Sequence, residues 1–382
     1  MKNAVQQCYD NPNEGNQVSI GILGDVDFST WQNNGNNPLL ALKPLFEKTD
    51  VVVANVETVI SDDPLKPVKR GIILKSPTCL ARMLKEVGVD VALLANNHID
   101  DFGREGALAT VHYLSQEGIK TFGLNGSNDL KVSCKGMDFQ FSGYCTPWQG
   151  DSVVPSYGRS PGGVIKRKRD GEYHWLYFVH GFEELYSVPF PWRVDLLKEI
   201  ADGLKPSAVV CGHSHVYQGW FRQNGIPVCL SYGNGFMNLA YHEKANPKSR
   251  IGCYSVLNFD ENGCRSIDEH YFRIKPDRVV LLLEPEQVAF RNDLNSMHRM
   301  LDDEGALGNA WDTACYQAWK PKGWKNLPFI RGLYDWHRKV KAYDLKQRGT
   351  TYIRAIRAAY LKQQYGMDVF RFRDDERIHL ED

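Results

Sequence analysis

The sequence has no excess of either charge: 46 Lys and Arg residues stand against 46 Asp and Glu residues. Because a balanced total creates no long-range attraction to polyanions, we expect no nucleic-acid partner and no attraction of the whole chain to an anionic membrane. Any surface that recognises a charged partner must therefore be local.

Long hydrophobic runs are also absent. Residues 1–17 contain no apolar core of the length that a secretory signal requires, and no later stretch approaches the roughly 20 apolar residues of a membrane-spanning helix. These absences predict a soluble protein with no transmembrane segment, made without export and located in the cytoplasm. They do not indicate the oligomeric state.

Paired cysteine motifs are missing as well. The nine cysteines include no Cys-x-x-Cys pair, and an odd number cannot be fully paired within one chain. Reduced thiols in a cytosolic setting are therefore expected rather than a disulfide framework. Cys211 is close in sequence to two histidines, but its apolar neighbours favour a buried thiol at the end of a strand over a metal ligand.

From residue 18 to about residue 275, short apolar runs alternate with stretches that have helical spacing of apolar residues. This alternation predicts strands and helices in a layered α/β arrangement. The apolar runs are VSIGIL, VVVANV, VALLA, WLYFV, SAVVCG and IPVCLSY, and the helical stretches are PLLALKPLFEK, SPTCLARMLKEVG, GREGALATVHYLSQEG and RVDLLKEIADG.

The chain divides into three predicted regions: a polar N-terminal segment over 1–17, the α/β domain over 18–275, and a helical C-terminal region over 276–382. Residues 143–172 are rich in Gly, Pro and Ser and predict a long loop or hairpin insertion. No strand is predicted after Pro276. Tryptophan and basic residues interleave between 311 and 362, a pattern that suits an anionic polymer but is more typical of an amphipathic helix.

Polar side chains that bind metals follow the predicted strands. The carboxyl ends of strands in α/β sheets are where sites assemble, and carboxylate, amide and imidazole groups bind divalent metals. Two such ions can together hold the attacking and leaving oxygens of a displacement. The candidates are Asp25, Asp27, Asn55, Glu57, Asn96, Asn97, His98, His180, His213, His215 and Asn234.

Taken singly, these residues have ordinary structural interpretations. His180 alone is typical of a hydrogen-bonded residue at a strand end, and Asp25 alone is typical of a turn or helix cap. The order of the whole set, with GHSH as its strongest part, favours the metal site. Ser214 lacks the Gly-x-Ser-x-Gly pattern of a nucleophile. No metal role is predicted for the other histidines, which are His112, His174, His242, His270, His298, His337 and His379.

The segments GILGDVD, ANVET, ANNHIDDFG, HGFEE, GHSHVYQG and SYGNGF, in that order between residues 18 and 238, resemble the capsule-synthesis CapA family. Members of this family associated with poly-γ-glutamate are built on the calcineurin-like metallophosphoesterase fold. The resemblance implies a four-layer metallophosphoesterase-like α/β sandwich, here with a helical C-terminal extension.

The resemblance also implies roles for individual residues. Asp25 and His215 would bind one ion, Glu57 would bridge, and the second ion would be bound by Asn97, His180 and His213. His98 would be the general acid, oriented by Asp101. Asp27 stands where phosphoesterases have a histidine, which alters the ligands of the first ion. Contacts to the substrate or to the ligands are expected from Asn55, Asn96, Glu183 and Asn234.

The function implied is that of a metal-dependent hydrolase with two divalent ions, which would be manganese, iron or zinc. It would cleave a phosphoester in capsule or other cell-surface polymer biosynthesis through attack by a metal-bound hydroxide. Its substrate would be a small-molecule or polymer-linked anion. Two alternatives are an amide hydrolase or transferase acting on poly-γ-glutamate or aminoacyl groups, and a non-catalytic capsule-assembly component with a vestigial metal site.

Overall fold

The computed structural model describes residues 17–31, 35–68, 71–145, 153–154 and 172–319. Most of the predicted loop over 143–172 and the tail beyond residue 319 lie outside these ranges. The described strands are β1 Val18–Val26, β2 Val51–Val56, β3 Val59–Ile60, β4 Lys75–Ser76, β5 Val91–Leu93, β6 Lys120–Phe122, β7 Asp129–Cys134, β8 Met137–Cys145, β9 His174–His180, β10 Ala208–Gly212, β11 Tyr217–Gln223, β12 Ile226–Tyr232, β13 Asn234–Phe236, β14 Ile251–Asp260, β15 Gly263–Ile274 and β16 Val279–Leu281.

The helices lie between and after these strands. None of those in the described ranges is both long and apolar enough to cross a membrane. The described α-helices are α1 Lys43–Phe46, α2 Cys79–Val87, α3 Gly103–Gln116, α4 Pro191–Leu204, α5 Ala240–Ala245, α6 Glu284–His298 and α7 Glu304–Trp319, with short 3-10 helices at Leu40–Leu42 and Pro247–Arg250.

Two mixed sheets form the centre of the molecule. The first has the order β16-β15-β14-β1-β2-β5-β6, with β13 pairing to the end of β1, and the second has the order β11-β12-β10-β9-β8-β7. Strands β1, β2, β5 and β6 are parallel in the first sheet, as are β8, β9, β10 and β12 in the second. Their carboxyl ends carry the predicted ligands.

The two sheets pack face to face. Ile22 and Val53 of the first sheet lie in one buried cluster with Phe141, Phe178 and Val210 of the second. Helices cover the outer faces, so each central strand is buried on both sides. This explains why the strands appear in the sequence as continuous apolar runs rather than as alternating patterns.

The outer layers are helical. On the first sheet, Leu84 of α2 and Leu114 of α3 pack with Val52 of β2, and on the second sheet Leu197 of α4 packs with Val209 of β10. The order helix, sheet, sheet, helix confirms the predicted four-layer α/β sandwich.

The prediction that no strand follows Pro276 was wrong. Residues Val279–Leu281 form β16, which pairs with β15 at the edge of the first sheet. An edge strand this short needs only backbone pairing with its neighbour, so it leaves little periodic signal in the sequence. Helix α6, which follows, was predicted, and its residues Phe290 and Leu294 pack with Tyr217 of β11. The boundary at residue 275 stays a prediction.

Candidate metal centre

Three strand ends meet at one place in the first sheet. The register pairs Asp25 of β1 with Asn55 of β2 on one side and with Asn234 of β13 on the other. The Asn55 amide donates a hydrogen bond of 2.7 Å to Asp25 Oδ1. Gly24 permits this close approach, since a Cβ atom there would lie 2.0 Å from the Gly233 carbonyl oxygen.

Glu57 lies at the centre of the buried cluster, and its two carboxylate oxygens face different groups. Oε1 lies 3.1 Å from His180 Nε2, whereas Oε2 lies 3.8 Å from His215 Nδ1. The backbone N–H of Glu57 donates to the Val26 carbonyl, which holds the residue against the end of β1. The carboxylate therefore divides the cluster into a His215 side and a His180 side.

The His215 side consists of Asp25, Glu57, His215 and Asn234. Asp25 Oδ2 lies 3.2 Å and Asn234 Oδ1 lies 3.0 Å from His215 Nδ1. One ring nitrogen can donate at most one hydrogen to these acceptors. Within the described residues, Asp25 Oδ2 and Glu57 Oε2 are buried with no hydrogen-bond partner. Such converging acceptor oxygens fit a bound cation.

The His180 side consists of Glu57, Asn97, His180 and His213. Asn97 Oδ1 lies 2.8 Å from His180 Nε2, and the ring of His213 lies 5.0 Å from the ring of His180. The other nitrogen of His180 contacts the Tyr232 hydroxyl at 3.0 Å. A hydroxyl on Nδ1 fixes the ring so that Nε2 faces the cluster, as in histidines that bind metals.

His213 and His215 adopt backbone conformations that side chains rarely occupy. Their φ angles are 87° and 56°, directly after β10. A strained non-glycine residue with positive φ costs on the order of 1–3 kcal/mol, and such residues cluster at active and ligand-binding sites. The turn lets ligand atoms of Glu57, His213 and His215 lie within 4.8 Å of one another. The strain therefore coincides with a group able to hold a metal ion.

Burial sets the protonation of the cluster. It raises the pKa of Glu57 well above its usual value, an effect that the neighbouring Asp25 carboxylate reinforces. Burial also lowers the pKa of His213 to about 4 and that of His180 well below its usual value. For His215 burial acts in the same direction, but the adjacent Asp25 outweighs it and the pKa is raised. The neutral imidazoles of His180 and His213 provide lone pairs for a divalent ion.

His98 lies beside the cluster with its ring held in place. Its Nδ1 is 2.8 Å from Asp101 Oδ2, and the same carboxylate oxygen accepts the backbone N–H of Leu74. Asn96 Oδ1 accepts the backbone N–H groups of His98 and Ile99 and so holds the turn. The Nε2 atom of His98 is the ring nitrogen that Asp101 leaves available.

The sequence profile of the family described as bacterial capsule synthesis protein PGA_cap matches residues 19–238, which is more than half of the chain. The chain belongs to this family. The resemblance to capsule-synthesis proteins is thereby confirmed. No curated protein is similar enough in sequence to count as a relative.

Solved structures are similar to this PGA_cap member only distantly. A hypothetical protein of Thermus thermophilus is 16% identical with a TM-score of 0.44, covering 68% of this chain and 100% of its own. A phosphatase of Mycoplasma pneumoniae is 13% identical with a TM-score of 0.45, covering 72% and 97%. The Haemophilus influenzae NAD nucleotidase is 14% identical with a TM-score of 0.41, covering 73% and 62%.

In this PGA_cap protein, Asp27 has a different environment from the other predicted ligands. Its Oδ1 accepts hydrogen bonds from the Ser29 backbone N–H and the Ser76 hydroxyl, and its Oδ2 accepts one from the Ser29 hydroxyl. Burial raises the pKa of Asp27 even so. Neutral donors therefore hold the Asp27 carboxylate in place, and its role as a metal ligand stays a prediction.

The predicted contact residue Glu183 faces away from the cluster, and its neighbour Glu184 faces it. Glu183 pairs with the buried Arg193 at 2.5 Å, whereas Glu184 Oε1 lies 3.5 Å from His213 Nε2. The sequence analysis missed Glu184. Positive φ angles at Phe182 and Leu185 turn the backbone of this segment. The side-chain alternation of an extended strand therefore could not predict which of the two glutamates faces the cluster.

His242 is the second residue that the sequence analysis missed. Its ring on α5 lies 4.3 Å from the ring of His215, and it is buried. The short helix carries no sequence pattern that links it to the strand ends.

The predicted contact residues Asn55 and Asn96 support the cluster from behind, because Asn96 donates to the side chain of Asn55 and to the Val56 carbonyl.

Proposed function

We propose that this protein is a metal-dependent hydrolase that cleaves a phosphoester in the synthesis of a capsule or another cell-surface polymer. The observation that carries the proposal is the position of Glu57, whose two oxygens face two separate sets of metal-type ligands. Membership of a bacterial capsule synthesis family supports the cellular role.

Each side of Glu57 has a donor set that suits manganese, iron or zinc. Asp25, His215 and Glu57 would hold one ion, and Asn97, His180, His213 and Glu57 would hold the other. When bound, the two ions would lower the pKa of a water molecule and neutralise charge on the phosphoryl oxygens. The substrate would be an anionic phosphoester, either small or linked to a polymer.

His98 would supply the proton for the leaving group. During hydrolysis the bond from phosphorus to the leaving oxygen breaks, water supplies the new oxygen on phosphorus, and the leaving oxygen takes a proton from His98 Nε2. Asp101 holds the opposite nitrogen at 2.8 Å, which orients the ring. His98 recovers its proton from the water that was consumed.

The test is hydrolysis of a model phosphomonoester by purified protein supplied with manganese, iron or zinc. The substitutions N97A, H98A and H213A should each lower kcat/KM by about 100-fold or more, while the circular dichroism spectrum is unchanged. H112A is the matched control, because His112 is an exposed residue of α3. Unchanged turnover in all three variants would contradict the proposal, as would cleavage of a γ-glutamyl peptide with no cleavage of any phosphoester.

A further inference from the structure

His242 is a buried histidine whose two ring nitrogens have no hydrogen bonds in the described part of the chain. The residue is only 1% exposed, and neither ring nitrogen, Nδ1 or Nε2, has a hydrogen-bond partner among the described residues. Leaving a buried polar atom unsatisfied costs about 1–3 kcal/mol. Two such atoms on one ring therefore call for a ligand that the protein alone does not supply.

The position of this ring connects it to the metal centre. Its centroid lies 4.3 Å from that of His215, with 31° between the planes, while Tyr241 packs edge-on at 4.3 Å. The His242 ring is therefore in direct contact with a proposed ligand of the ion.

The segment that carries His242 is held firmly against the site. Arg250 donates to Asn238 at 2.6 Å and to Glu243 at 3.2 Å, which ties both ends of the segment to the following 3-10 helix. Asn234, on the His215 side, donates to the Ser249 carbonyl of the same 3-10 helix. These contacts hold the segment that carries His242 next to the cluster.

The His215 side also has fewer imidazoles than the His180 side. The His180 side contains two histidine rings, whereas the His215 side contains one. Divalent ions of the first transition series take at least four ligands and bind imidazole well. With Asp25, Glu57 and His215 as the proposed ligands, a second ring nitrogen would be the fourth.

We propose that His242 donates a ring nitrogen to the ion bound by Asp25, Glu57 and His215. The inference rests on the proposed two-metal function, since it needs an ion on the His215 side. It assigns α5 a place in the metal centre that neither the sequence motifs nor the family resemblance indicated.

The test measures metal content by elemental analysis and manganese affinity by titration, on wild-type protein and on H242F. Phenylalanine keeps the aromatic packing against His215 and Tyr241 but removes both nitrogens. We expect two ions per wild-type chain and one per H242F chain, with the affinity of the weaker site reduced at least 10-fold. H298F is the control, because His298 is a partly buried histidine whose ring contacts the Gln218 carbonyl, and it should keep two ions.

The other outcomes separate the two proposals. Wild-type protein that binds no ion would contradict the proposed function itself. Two ions in H242F, with wild-type affinity, would overturn the role of His242 and leave the function standing. If H242F does not fold, the variant H242C is measured instead, because a cysteine thiolate binds zinc well. We expect H242C to bind manganese more weakly than wild type and to retain zinc binding. Manganese affinity equal to that of wild type would overturn the inference.

Discussion

Glu57 is fully buried beside a second carboxylate, and burial together with Asp25 raises its pKa well above the usual value of 4.5. A group whose pKa is higher in the folded state stabilises the fold below its unfolded pKa, and this contribution is lost as pH rises through the folded pKa. Divalent metals bind the ionised carboxylate. Metal and proton therefore compete for the same residue.

This competition predicts that the rise in melting temperature caused by manganese grows as pH increases from near 4.5 towards neutrality. In E57Q the rise should vanish, and the melting temperature of the metal-free protein should depend less on pH. Differential scanning fluorimetry across a buffer series measures both effects, with E105Q on the exposed surface of α3 as the control. A manganese effect that is equal at every pH, or larger in acid, would contradict this account of Glu57.

At the same scale, the sequence indicated most of the side chains that meet at Glu57 but not all. Asp25, Asn97, His180, His213 and His215 were found because each directly follows an apolar run, where the ends of parallel strands meet. Glu184 and His242 were missed for a different reason. Their orientation depends on turns with positive φ and on a short helix, and neither leaves a pattern in the local sequence.

At the scale of the elements, α4 is joined to the second sheet by a fully buried arginine. Arg193 pairs with Glu183, donates to the Leu230 carbonyl and contacts Gln218. These contacts link the helix to strands β11 and β12 behind the histidines. They also hold the segment in which Glu184 faces His213.

Replacing this arginine should destabilise the protein strongly, because R193M leaves the Glu183 carboxylate buried without its partner. The expected loss in the free energy of unfolding is about 3–5 kcal/mol, measured by urea denaturation. K198M on the same helix is the control, since Lys198 pairs with Asp302, whose side chain is 96% exposed, and such a pair contributes about 0–1 kcal/mol. Equal losses in the two variants would show that the buried pair does not hold α4 in place.

The contact between β1 and β13 depends on Gly24. In G24A the new Cβ atom would meet the Gly233 carbonyl, and relieving this clash must shift either Asp25 or Asn234. We expect weaker manganese affinity in G24A, measured by titration. G308A is the control, because Gly308 lies in α7 with open space around it, and alanine there should leave metal binding unchanged and raise stability by up to about 1 kcal/mol. Wild-type manganese affinity in G24A would show that this contact does not position the ligands.

The strands that could be predicted from the sequence are those that bury apolar residues on both faces. Strands β1, β2 and β10 lie between a sheet and a helical layer, so their continuous apolar runs identified them. Strands β13 and β16 have three residues each and are specified by pairing with β1 and β15, which are distant in sequence. Their formation depends on the tertiary structure.

At the scale of the whole molecule, two sheets bring ligands from opposite faces of the core to one place. Asp25, Glu57 and Asn97 come from the first sheet, and the histidines of β9 and β10 come from the second. The layered α/β arrangement followed from the alternation of elements, and its four layers followed from the family resemblance. The division of the ligands between the two sides of Glu57 was expected from the family resemblance alone, because it depends on how the sheets pack, which the strand-end positions do not show.

The most direct test of the two-sided centre is X-ray diffraction from crystals grown with manganese, with anomalous difference maps calculated at the manganese edge. The account predicts two peaks, one on each side of the Glu57 carboxylate, the first beside Asp25 and His215 and the second beside Asn97 and His180. No peak at Glu57, or a single peak that contacts only one of its two oxygens, would contradict it.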